Sequence, residues 1–427
     1  MTPHDTVTVS AGRPDGRVVI PPSKSIAHRA LICAALCPRG GVSRLFNMPC
    51  NEDIDATVDC LSALGVRITQ ERGEDHTRVL TVEGCGGEWT CTDTSLGCRE
   101  SGSTLRFMLP LCLLSPTRRI LTGSERLLAR LYPLPTALAE RRNIERVPEG
   151  VAVVEGSPLG SGRYSLAKTV TSQWTTGLLF VLPLLDGDSV IEFATPPESR
   201  SYIDMTIAML SRFGVSAAWQ DETHLRVSGS QSYRPCDMTV DGDASGAAFF
   251  HALKTLHGGD QPFVVCPRSE DVVQGDTVCE RLLNELKHGD MPTVSLADCP
   301  DLGPVLFAAA AAMRGGVFTH TDRLRVKESD RVAAMVQELS KFGVRCDVLD
   351  GQAGGTVIVH PSPDGLQTPS GVLHGHNDHR IVMSLAVLST CLAPTSTVTI
   401  DDAHAVAKSF PDFFDRLRSL GIDCRLN

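Results

Sequence analysis

An internal repeat of two kinds of helix limits the folds that this chain can adopt. The first kind is amphipathic and ends in an aliphatic residue or Phe, then Gly, then Val or Ile. This ending occurs at residues 61–66, 210–215, 339–344 and 417–422, and we predict weaker copies at 277–289 and 132–142. The Gly fits the position just after a helix C-terminus, because glycine adopts a left-handed backbone without strain.

The second kind of helix is apolar around most of its circumference, which indicates burial on most sides. Its six predicted copies are residues 25–36, 103–114, 172–185, 244–256, 301–313 and 379–392. Short β-branched segments such as 79–82, 190–193 and 356–359 lie between the helices. We therefore predict an α/β fold of six βαβαβ-type units, with buried helices beneath outer sheets. Alternation of helices and strands alone would also fit a doubly wound sheet.

Composition excludes several classes of protein. The 427 residues allow two or three domains. A net charge of −10 and 5% aromatic residues disfavour a nucleic-acid partner, although a local basic pocket can still bind a small anion. The 15 cysteines include no C-x-x-C pair and many lie among apolar residues, as expected in a reducing compartment. Without a signal-peptide pattern or a membrane-length apolar run, we expect a soluble cytoplasmic protein.

Polar clusters begin most of the apolar helices. A buried helix N-terminus is an anion site, because free N–H groups and the positive end of the helix dipole meet there. Capping explains Ser, Thr and Asp in these clusters, but cations are disfavoured there unless an anion binds. The eight cations are Lys24, Arg29, Arg106, Arg126, Lys327, Arg331, Arg380 and Lys408. They predict one or two ligands with several phosphate and carboxylate groups.

The segment 324–331 is the most densely charged of these clusters, with three cations and two carboxylates. If a helix begins near Lys327, then Lys327, Glu328 and Arg331 share about one turn and can meet one ligand. The two cations would donate to phosphate or carboxylate, and Glu328 could carry a proton. A solvated helix start with surface ion pairs is the common alternative for such a run.

Seven polar motifs follow one another along the chain. They are Pro22-Ser-Lys-Ser25 with Arg29, Ser101-Gly-Ser-Thr-Leu-Arg106, Leu121-Thr-Gly-Ser-Glu-Arg126, Thr171-Ser-Gln173, Arg325-Val-Lys-Glu-Ser-Asp-Arg331, Asn377-Asp-His-Arg380 and Lys408-Ser-Phe-Pro411. In this order they resemble the 5-enolpyruvylshikimate-3-phosphate synthase family of enolpyruvyl transferases. The resemblance implies two domains of three βαβαββ units each, one at 22–240 and one joining 1–21 to 241–427. It also implies a monomer with its active site in the interdomain cleft.

The family transfers the enolpyruvyl group of phosphoenolpyruvate to the 5-hydroxyl of shikimate 3-phosphate and releases phosphate. This reaction belongs to the shikimate pathway, which leads to chorismate and the aromatic amino acids. The resemblance implies a base for the hydroxyl, an acid for the methylene carbon and cations around the anionic groups. It implies no metal and no organic cofactor.

The same resemblance implies roles for individual residues. Asp301 would be the base and Glu328 the proton donor, with Lys24 and Lys408 also catalytic. Contacts to shikimate 3-phosphate would be Lys24, Ser25, Arg29, Thr171, Ser172, Gln173, Ser199, Tyr202, Asp301, Arg323 and Lys327. Contacts to phosphoenolpyruvate would be Lys24, Gly102, Arg126, Gln173, Arg331, Arg380 and Lys408. Helix capping is the alternative role for Asp301, and a first-turn acid favoured by the helix dipole is the alternative for Glu328.

Five positions depart from the residues common in the family. They are Glu100 for Asn, Phe107 for Pro, Arg323 for Asn, Thr171 for Ser and His28 for Asn. Glu100 and Phe107 flank Gly102, so the shape of the phosphoenolpyruvate pocket and its sensitivity to glyphosate stay open. The substitution at Arg323 leaves its contact to the ligand open as well.

Three other functions compete with this interpretation. The sister enzyme that uses UDP-N-acetylglucosamine usually has a cysteine in the loop at 122–131, where this chain has none. His374, His376, Asp378 and His379 could bind zinc in a metal-dependent hydrolase, although an ordinary polar loop is commoner. A relative that binds ligands without catalysis is disfavoured, because every predicted catalytic residue is present.

Overall fold

The computed structural model describes residues 5–73, 77–90, 94–129, 131, 134–135, 138, 144–153, 159–167, 171–258, 264–265, 274–351 and 354–427. The chain divides into two compact units. Unit 1 comprises Met1–Pro21, Gly242–Pro267 and Gly275–Asn427, and unit 2 comprises Pro22–Asp241 and Arg268–Gln274. The functional domains and the cleft that the resemblance implies stay predictions.

The described residues form short helices and strands in alternation. The α-helices are α1 (Lys24–Ala35), α2 (Glu52–Ala63), α3 (Gly102–Cys112), α4 (Glu125–Ala129), α5 (Ser172–Val181), α6 (Arg200–Arg212), α7 (Ala244–His257), α8 (Cys279–His288), α9 (Gly303–Ala312), α10 (Arg331–Lys341), α11 (His379–Ser389) and α12 (Phe413–Ser419). The strands are β1 (Thr6–Ser10), β2 (Val18–Val19), β3 (Val42–Pro49), β4 (Arg67–Arg72), β5 (Thr77–Glu83), β6 (Thr94–Gly97), β7 (Arg119–Thr122), β8 (Ile144–Val147), β9 (Gly150–Val153), β10 (Arg163–Leu166), β11 (Ser189–Phe193), β12 (Ala217–Trp219), β13 (His224–Val227), β14 (Met238–Thr239), β15 (Val264–Val265), β16 (Thr293–Ser295), β17 (Gly316–Thr319), β18 (Cys346–Leu349), β19 (Thr356–Val359), β20 (Thr397–Asp401) and β21 (Cys424–Leu426).

One sheet topology is repeated four times. The strand orders are β14-β3-β5-β4, β6-β7-β9-β8, β10-β11-β13-β12 and β16-β17-β19-β18. In each sheet the first two strands are parallel and the other neighbours are antiparallel. Two smaller sheets, β20-β1-β21 and β15-β2, bring the total within the described residues to six, three in each unit. The predicted α/β fold of six units is confirmed.

The apolar helices form the core of each unit, as predicted. In α9 every residue from Gly303 to Ala311 is buried, and the buried side chains of each unit form a hydrophobic cluster of their own. A 3-10 turn at Pro300–Leu302 precedes α9, and another at Leu182–Leu184 continues α5, where Pro183 lacks the N–H that a longer α-helix needs. No helix within the described ranges is both long enough and apolar enough to cross a membrane.

The amphipathic helices also occur where the repeat predicts them. The glycines that follow α2, α6, α10 and α12 have φ of 96°, 77°, 77° and 85°, which confirms their left-handed role. The weaker copy at 277–289 contains α8, but Gly289 has an extended backbone with φ of −78°. The predicted copy at 132–142 lies almost wholly outside the described residues.

Candidate active site

The helix predicted to begin near Lys327 begins instead at Arg331, so that prediction is wrong. Residues 322–326 form a 3-10 turn and 327–329 a bend, and Asp330 caps α10 by accepting a hydrogen bond from the N–H of Ala333 at 3.0 Å. The cap decides the start, since an Asp at this place satisfies a free N–H group. Lys327 and Glu328 therefore reach the site from a loop.

Asp301 lies at the centre of the cations of unit 1. Its Oδ1 is 3.0 Å from Nη1 of Arg331 and 3.2 Å from Nζ of Lys327, and its Oδ2 is 3.0 Å from Nη2 of Arg380. Burial alone would raise the pKa of Asp301, but Arg380, Lys327 and Arg331 hold it well below its ordinary value. The structure thus brings three predicted cations together around one ionised carboxylate, the predicted base.

Arg331 contacts three carboxylates from three parts of the chain. The first is Asp301. The second is Glu328, whose Oε2 lies 2.5 Å from Nη2 of Arg331. The third is Asp378, whose two oxygens accept from Nε and Nη2 of Arg331 at 2.8 and 3.2 Å. Its side chain is 1% exposed and that of Asp378 0%. Burial opposes the charge of Arg331, yet the three carboxylates raise its pKa further above the ordinary value. Arg331 is the residue that joins the predicted base to the predicted acid.

Asp378 has a structural role that the sequence analysis missed. It caps α11 by accepting from the N–H of Arg380 at 3.0 Å, and it also accepts from Oγ of Ser329 at 2.9 Å. The adjacent Asn377 accepts two hydrogen bonds from Nζ of Lys408, through its backbone oxygen at 2.8 Å and its Oδ1 at 3.0 Å. Loop 374–378 therefore holds Lys408 as well as Arg331.

Lys327 and Arg323 are the two predicted ligand contacts that come from segment 322–329, and their surroundings differ. Burial lowers the pKa of Lys327, although Asp301 acts in the opposite direction. Arg323 is half-buried in the 3-10 turn Asp322–Val326, and its contact to shikimate 3-phosphate stays a prediction.

Asp276 is a buried carboxyl that belongs to none of the sequence motifs. The charges of Asp301 and Arg380 act on it. Asp276, in the 3-10 turn Gly275–Val278, is 3% exposed and accepts a hydrogen bond from Oγ of Ser245. Burial and, next, repulsion from Asp301 raise the pKa of Asp276 to about 6. No sequence signal marks this residue, because its environment comes from packing.

Asp276 should make the stability of the protein depend on pH. A carboxyl whose pKa is raised on folding stabilises the fold below its unfolded value of about 4, and this contribution is lost as the pH rises through about 6. As the pH rises from about 4 to about 7, the free energy of unfolding of the wild type should therefore fall by up to about 3 kcal/mol relative to that of Asp276→Asn. Urea unfolding of both proteins at several pH values measures this difference, and parallel profiles would contradict it.

In unit 2, Lys24 is the first residue of α1 and pairs with Asp53 of α2. The distance from Nζ to Oδ2 is 2.7 Å, and the two side chains are 18% and 12% exposed. Ser25 follows on the same turn and is half-buried. Lys24 thus has a carboxylate partner within its own unit.

Arg29 is buried, and its hydrogen bonds join three helices. Its Nε donates to Oγ1 of Thr206 at 2.8 Å, and its Nη2 to Oγ1 of Thr176 at 3.3 Å and to the backbone oxygen of Tyr202 at 3.0 Å. Its Nη1 donates to the backbone oxygen of Ser25 at 2.7 Å. Burial lowers the pKa of Arg29 to about 10. Arg29 fixes α1 against α5 and α6, and its predicted ligand contact stays a prediction.

Arg106 and Gln173 join the N-terminal turns of α3 and α5. Nη1 of Arg106 donates to Oε1 of Gln173 at 2.5 Å, and Nε2 of Gln173 donates to Oγ of Ser103 at 3.0 Å. Gly102 begins α3, while Thr171 caps α5 and accepts from the N–H of Gln173 at 3.2 Å with Ser172 beside it. Gly102 and Gln173 therefore lie on adjacent helix N-termini.

A buried polar chain links α1 to α3 through α2. Nδ1 of His28 lies 2.9 Å from Oγ1 of Thr57, which is 2.8 Å from Oγ1 of Thr104, and Thr104 donates to Oγ of Ser101 at 2.8 Å. Burial, and then Lys24 and Arg29, keep the pKa of His28 well below its ordinary value, so its ring is neutral. Ser101 caps α3 beside Gly102, so the chain fixes that turn.

Phe107, which stands where Pro is common in the family, is buried inside unit 2. Phe107 is 1% exposed and packs edge-on against Phe180, with ring centres 5.5 Å apart, and against His28 at 6.0 Å. The guanidinium carbon of Arg29 lies 5.7 Å from the centre of its ring. Phe107 therefore contributes to the core.

The last three candidates of unit 2 lie at other helices. Ser199 precedes α6 with a left-handed backbone, φ 57°, and is 3% exposed. The N–H of Tyr202 donates to the backbone oxygen of Ser199 at 3.1 Å. Arg126 is exposed on α4, and within the described residues no hydrogen bond joins it to the Arg106–Gln173 pair. The role of Arg126 stays a prediction.

The three histidines proposed as zinc ligands pair with three different carboxylates. Nδ1 of His374 is 2.6 Å from Asp401, and Nε2 of His376 is 3.5 Å from Glu338. Nδ1 of His379 is 4.0 Å from Asp378. Among the residues that the structure describes, no three His, Cys, Asp or Glu side chains converge to hold a metal ion.

Known proteins resemble this chain along almost its whole length. The profile of the family described as EPSP synthase (3-phosphoshikimate 1-carboxyvinyltransferase) matches residues 10–417. The 3-phosphoshikimate 1-carboxyvinyltransferase of Clostridium kluyveri is 35% identical to this chain over an alignment of 435 positions, gaps included. The alignment covers 97% of each chain. That of Clostridium perfringens strain 13 is also 35% identical, over 97% of this chain and 98% of the other.

Solved structures with low sequence identity share the fold. An EPSP synthase from Acinetobacter baumannii has a TM-score of 0.74 at 20% identity, over 99% of this chain and 100% of that one. The enolpyruvyl transferase NikO from Streptomyces tendae has a TM-score of 0.71 at 15% identity, over 99% of both chains. Together with the family profile and the relatives of 35% identity, these similarities lead to one conclusion. The chain belongs to the EPSP synthase (3-phosphoshikimate 1-carboxyvinyltransferase) family of enzymes.

Proposed function

We propose that this chain transfers the enolpyruvyl group of phosphoenolpyruvate to the 5-hydroxyl of shikimate 3-phosphate and releases phosphate. Membership of the family and the names of its relatives support this reaction. The structural observation that carries it is the set of two carboxylates, Asp301 and Glu328, both bound to Arg331 within 3.0 Å. A base and an acid held among cations suit proton transfer between two anionic substrates.

The reaction assigns a step to each of these residues. Asp301 takes the proton of the 5-hydroxyl while the hydroxyl oxygen forms a bond to C2 of phosphoenolpyruvate. Glu328 donates a proton to C3. Glu328, left as a carboxylate by this donation, then takes a proton back from C3 as the bond between C2 and the phosphate oxygen breaks, and inorganic phosphate leaves. Arg331, Arg380 and Lys408 neutralise the phosphate and carboxylate of phosphoenolpyruvate.

The charges around Asp301 also suggest how its basicity is controlled. With Arg380, Lys327 and Arg331 around it, Asp301 has a low pKa and is a weak base. An anionic substrate that binds Arg331 and Arg380 would neutralise part of this positive charge and raise the pKa of Asp301. Its strength as a base would then depend on bound phosphoenolpyruvate.

The shikimate 3-phosphate contacts are proposed mainly in unit 2. Lys24, Ser25, Thr171, Ser172 and Gln173 lie on the N-terminal turns of α1 and α5 or cap them. These turns attract anions through free N–H groups and the helix dipole. The other proposed contacts to shikimate 3-phosphate are Arg29, Ser199, Tyr202, Asp301, Arg323 and Lys327.

A coupled phosphate-release assay tests this function. We expect phosphate release from purified protein only when phosphoenolpyruvate and shikimate 3-phosphate are both present, without added metal. Each substrate alone is the control, and chromatography should identify 5-enolpyruvylshikimate 3-phosphate as the product. Phosphate release with UDP-N-acetylglucosamine in place of shikimate 3-phosphate would contradict the proposal and favour the sister activity.

We further propose that the protein works as a cytoplasmic monomer. Every cysteine among the described residues is a free thiol, and most are buried, which suits a reducing compartment. Each unit also contains its own hydrophobic cluster, so that neither core needs a second chain to complete it. Light scattering during gel filtration measures the mass, and a dimer would contradict the monomer.

A further inference from the structure

Loop 374–378 contains two consecutive residues in a backbone conformation that side chains disfavour. His376 and Asn377 have φ of 54° and 49°, in the left-handed region. Such a conformation persists only when surrounding contacts hold it. Its position matters, because Asn377 accepts two hydrogen bonds from Lys408 and lies shortly before Asp378 and Arg380.

Glu338 of α10 holds this loop from the interior of unit 1. Its side chain is 0% exposed, and its Oε2 accepts from the backbone N–H of His374 at 2.9 Å and from Nζ of Lys341 at 2.7 Å. Its Oε1 lies 3.5 Å from Nε2 of His376. Nζ of Lys341 also donates to the backbone oxygen of Val372 at 3.1 Å. A carboxylate buried in this way depends on its partners, and they on it.

Arg331 and Glu338 lie two turns apart on the same side of α10. Arg331 binds Asp378 at one end of the loop, and Glu338 accepts a hydrogen bond from the N–H of His374 at the other end and lies 3.5 Å from His376. Helix α10 therefore contacts the loop at both of its ends.

The opposite side of the loop is held by the end of β20 and the residue after it. The N–H groups of Gly375 and Asn377 donate to Asp401 and Asp402, both at 2.7 Å. A Cβ on Gly375 would lie 2.5 Å from Cγ2 of Val382 and 2.6 Å from the backbone oxygen of Asp401. The loop is tightly packed at Gly375, so the contacts of Glu338 on the other side are the ones whose loss we expect to loosen it.

We infer that Glu338 is a positioning residue for the phosphoenolpyruvate end of the site. It acts through loop 374–378 on Lys408 and Arg380 and does not touch substrate. This inference rests on the proposed function, which assigns those two cations to phosphoenolpyruvate. Without the charge of Glu338, the left-handed pair relaxes and Asn377 no longer holds Lys408 in place.

The variant Glu338→Gln tests this role, because it keeps the shape and one acceptor but loses the charge. We expect KM for phosphoenolpyruvate to rise about tenfold or more, the loss typical of a hydrogen-bonded charge. KM for shikimate 3-phosphate should stay within about twofold, because none of its proposed contacts lies in loop 374–378. The fall in kcat should be smaller than the rise in KM for phosphoenolpyruvate, because Asp301 and Glu328 stay in place although Lys408 is displaced. Equal changes in both KM values, or none, would overturn the inference.

A matched control is available on α8. Glu285 forms an exposed pair with Arg281 at 2.5 Å, one turn away on the same helix. Glu285→Gln should leave all three kinetic constants unchanged. Lys341→Met gives a second test with a milder change, since it removes one partner of Glu338, and it should also raise KM for phosphoenolpyruvate selectively.

Amide hydrogen exchange separates this inference from the proposed function. In Glu338→Gln, exchange should become faster in peptides that contain residues 372–380, whereas Glu285→Gln should match the wild type there. Unchanged exchange in that segment would overturn the positioning role even in an active enzyme. A wild-type protein that releases no phosphate would overturn the proposed function, and the exchange result would still decide whether Glu338 holds the loop.

Discussion

Asp301→Asn and Glu328→Gln are each expected to lower kcat about 100-fold or more, the usual range for a general acid or base. Both changes preserve shape but remove a group that can exchange a proton. Asp301 and Glu328 both contact Arg331, at 3.0 and 2.5 Å, so each amide stays within reach of a hydrogen bond. The loss of turnover should therefore appear in the chemical step of a folded enzyme. Stopped-flow measurement of a single turnover isolates that step.

Asp350→Asn is the matched control for this pair. Asp350 is 80% exposed and binds Arg325 at 2.6 Å, close in sequence to the site but outside it. This variant should turn over at the wild-type rate. Near-normal turnover in both Asp301→Asn and Glu328→Gln would show that the assignment of acid and base is wrong.

Asp301→Asn also has a consequence for stability that depends on pH. Since folding lowers the pKa of Asp301, its contribution to stability is present above the unfolded pKa and is lost as the pH falls towards the lower folded value. The variant should be less stable than the wild type at neutral pH, and this difference should shrink in acid. Thermal unfolding at several pH values measures the trend.

Arg331→Met is expected to lower the free energy of unfolding by about 3 to 5 kcal/mol, the range for removal of one partner from a buried ion pair. Methionine has a similar length but leaves Asp378, at 0% exposure, without its main cation. Asp301 and Glu328 lose a partner at the same time. Arg331→Lys should recover part of this loss, because an ammonium keeps the charge but not the fork of donors that Arg331 extends to Asp378.

The control for Arg331 is Arg325→Met. Arg325 is 31% exposed and pairs with Asp350 at the surface, so its loss should change stability by less than about 1 kcal/mol. A chain of two units can unfold in more than one step, so the exchange rates of α10 and α11 should be measured beside the global transition. Wild-type stability in Arg331→Met would contradict the role of Arg331 as the residue that joins these carboxylates.

The sequence predicts much of the secondary structure and most of the chemistry, because both depend on local patterns. Apolar helices such as α1 and α9 follow from runs of small and aliphatic residues, and Gly65 and Gly343 mark helix ends because only glycine adopts positive φ without strain. Cations at helix N-termini predict an anionic ligand for a physical reason that needs no structure. The start of α10 was misplaced, because the capping hydrogen bond of Asp330 outweighed the charge pattern at Lys327.

The long-range partners of the charged site residues were decided by the tertiary structure alone. Arg331 meets Asp301 and Asp378 across 30 and 47 residues of sequence, and Arg380 meets Asp301 across 79. Local patterns cannot encode such pairs, since they exist only after helices from separate repeats have packed. The raised pKa of Asp276 and the contacts of Glu338 with loop 374–378 arise in the same way, from burial and proximity that only the folded chain creates.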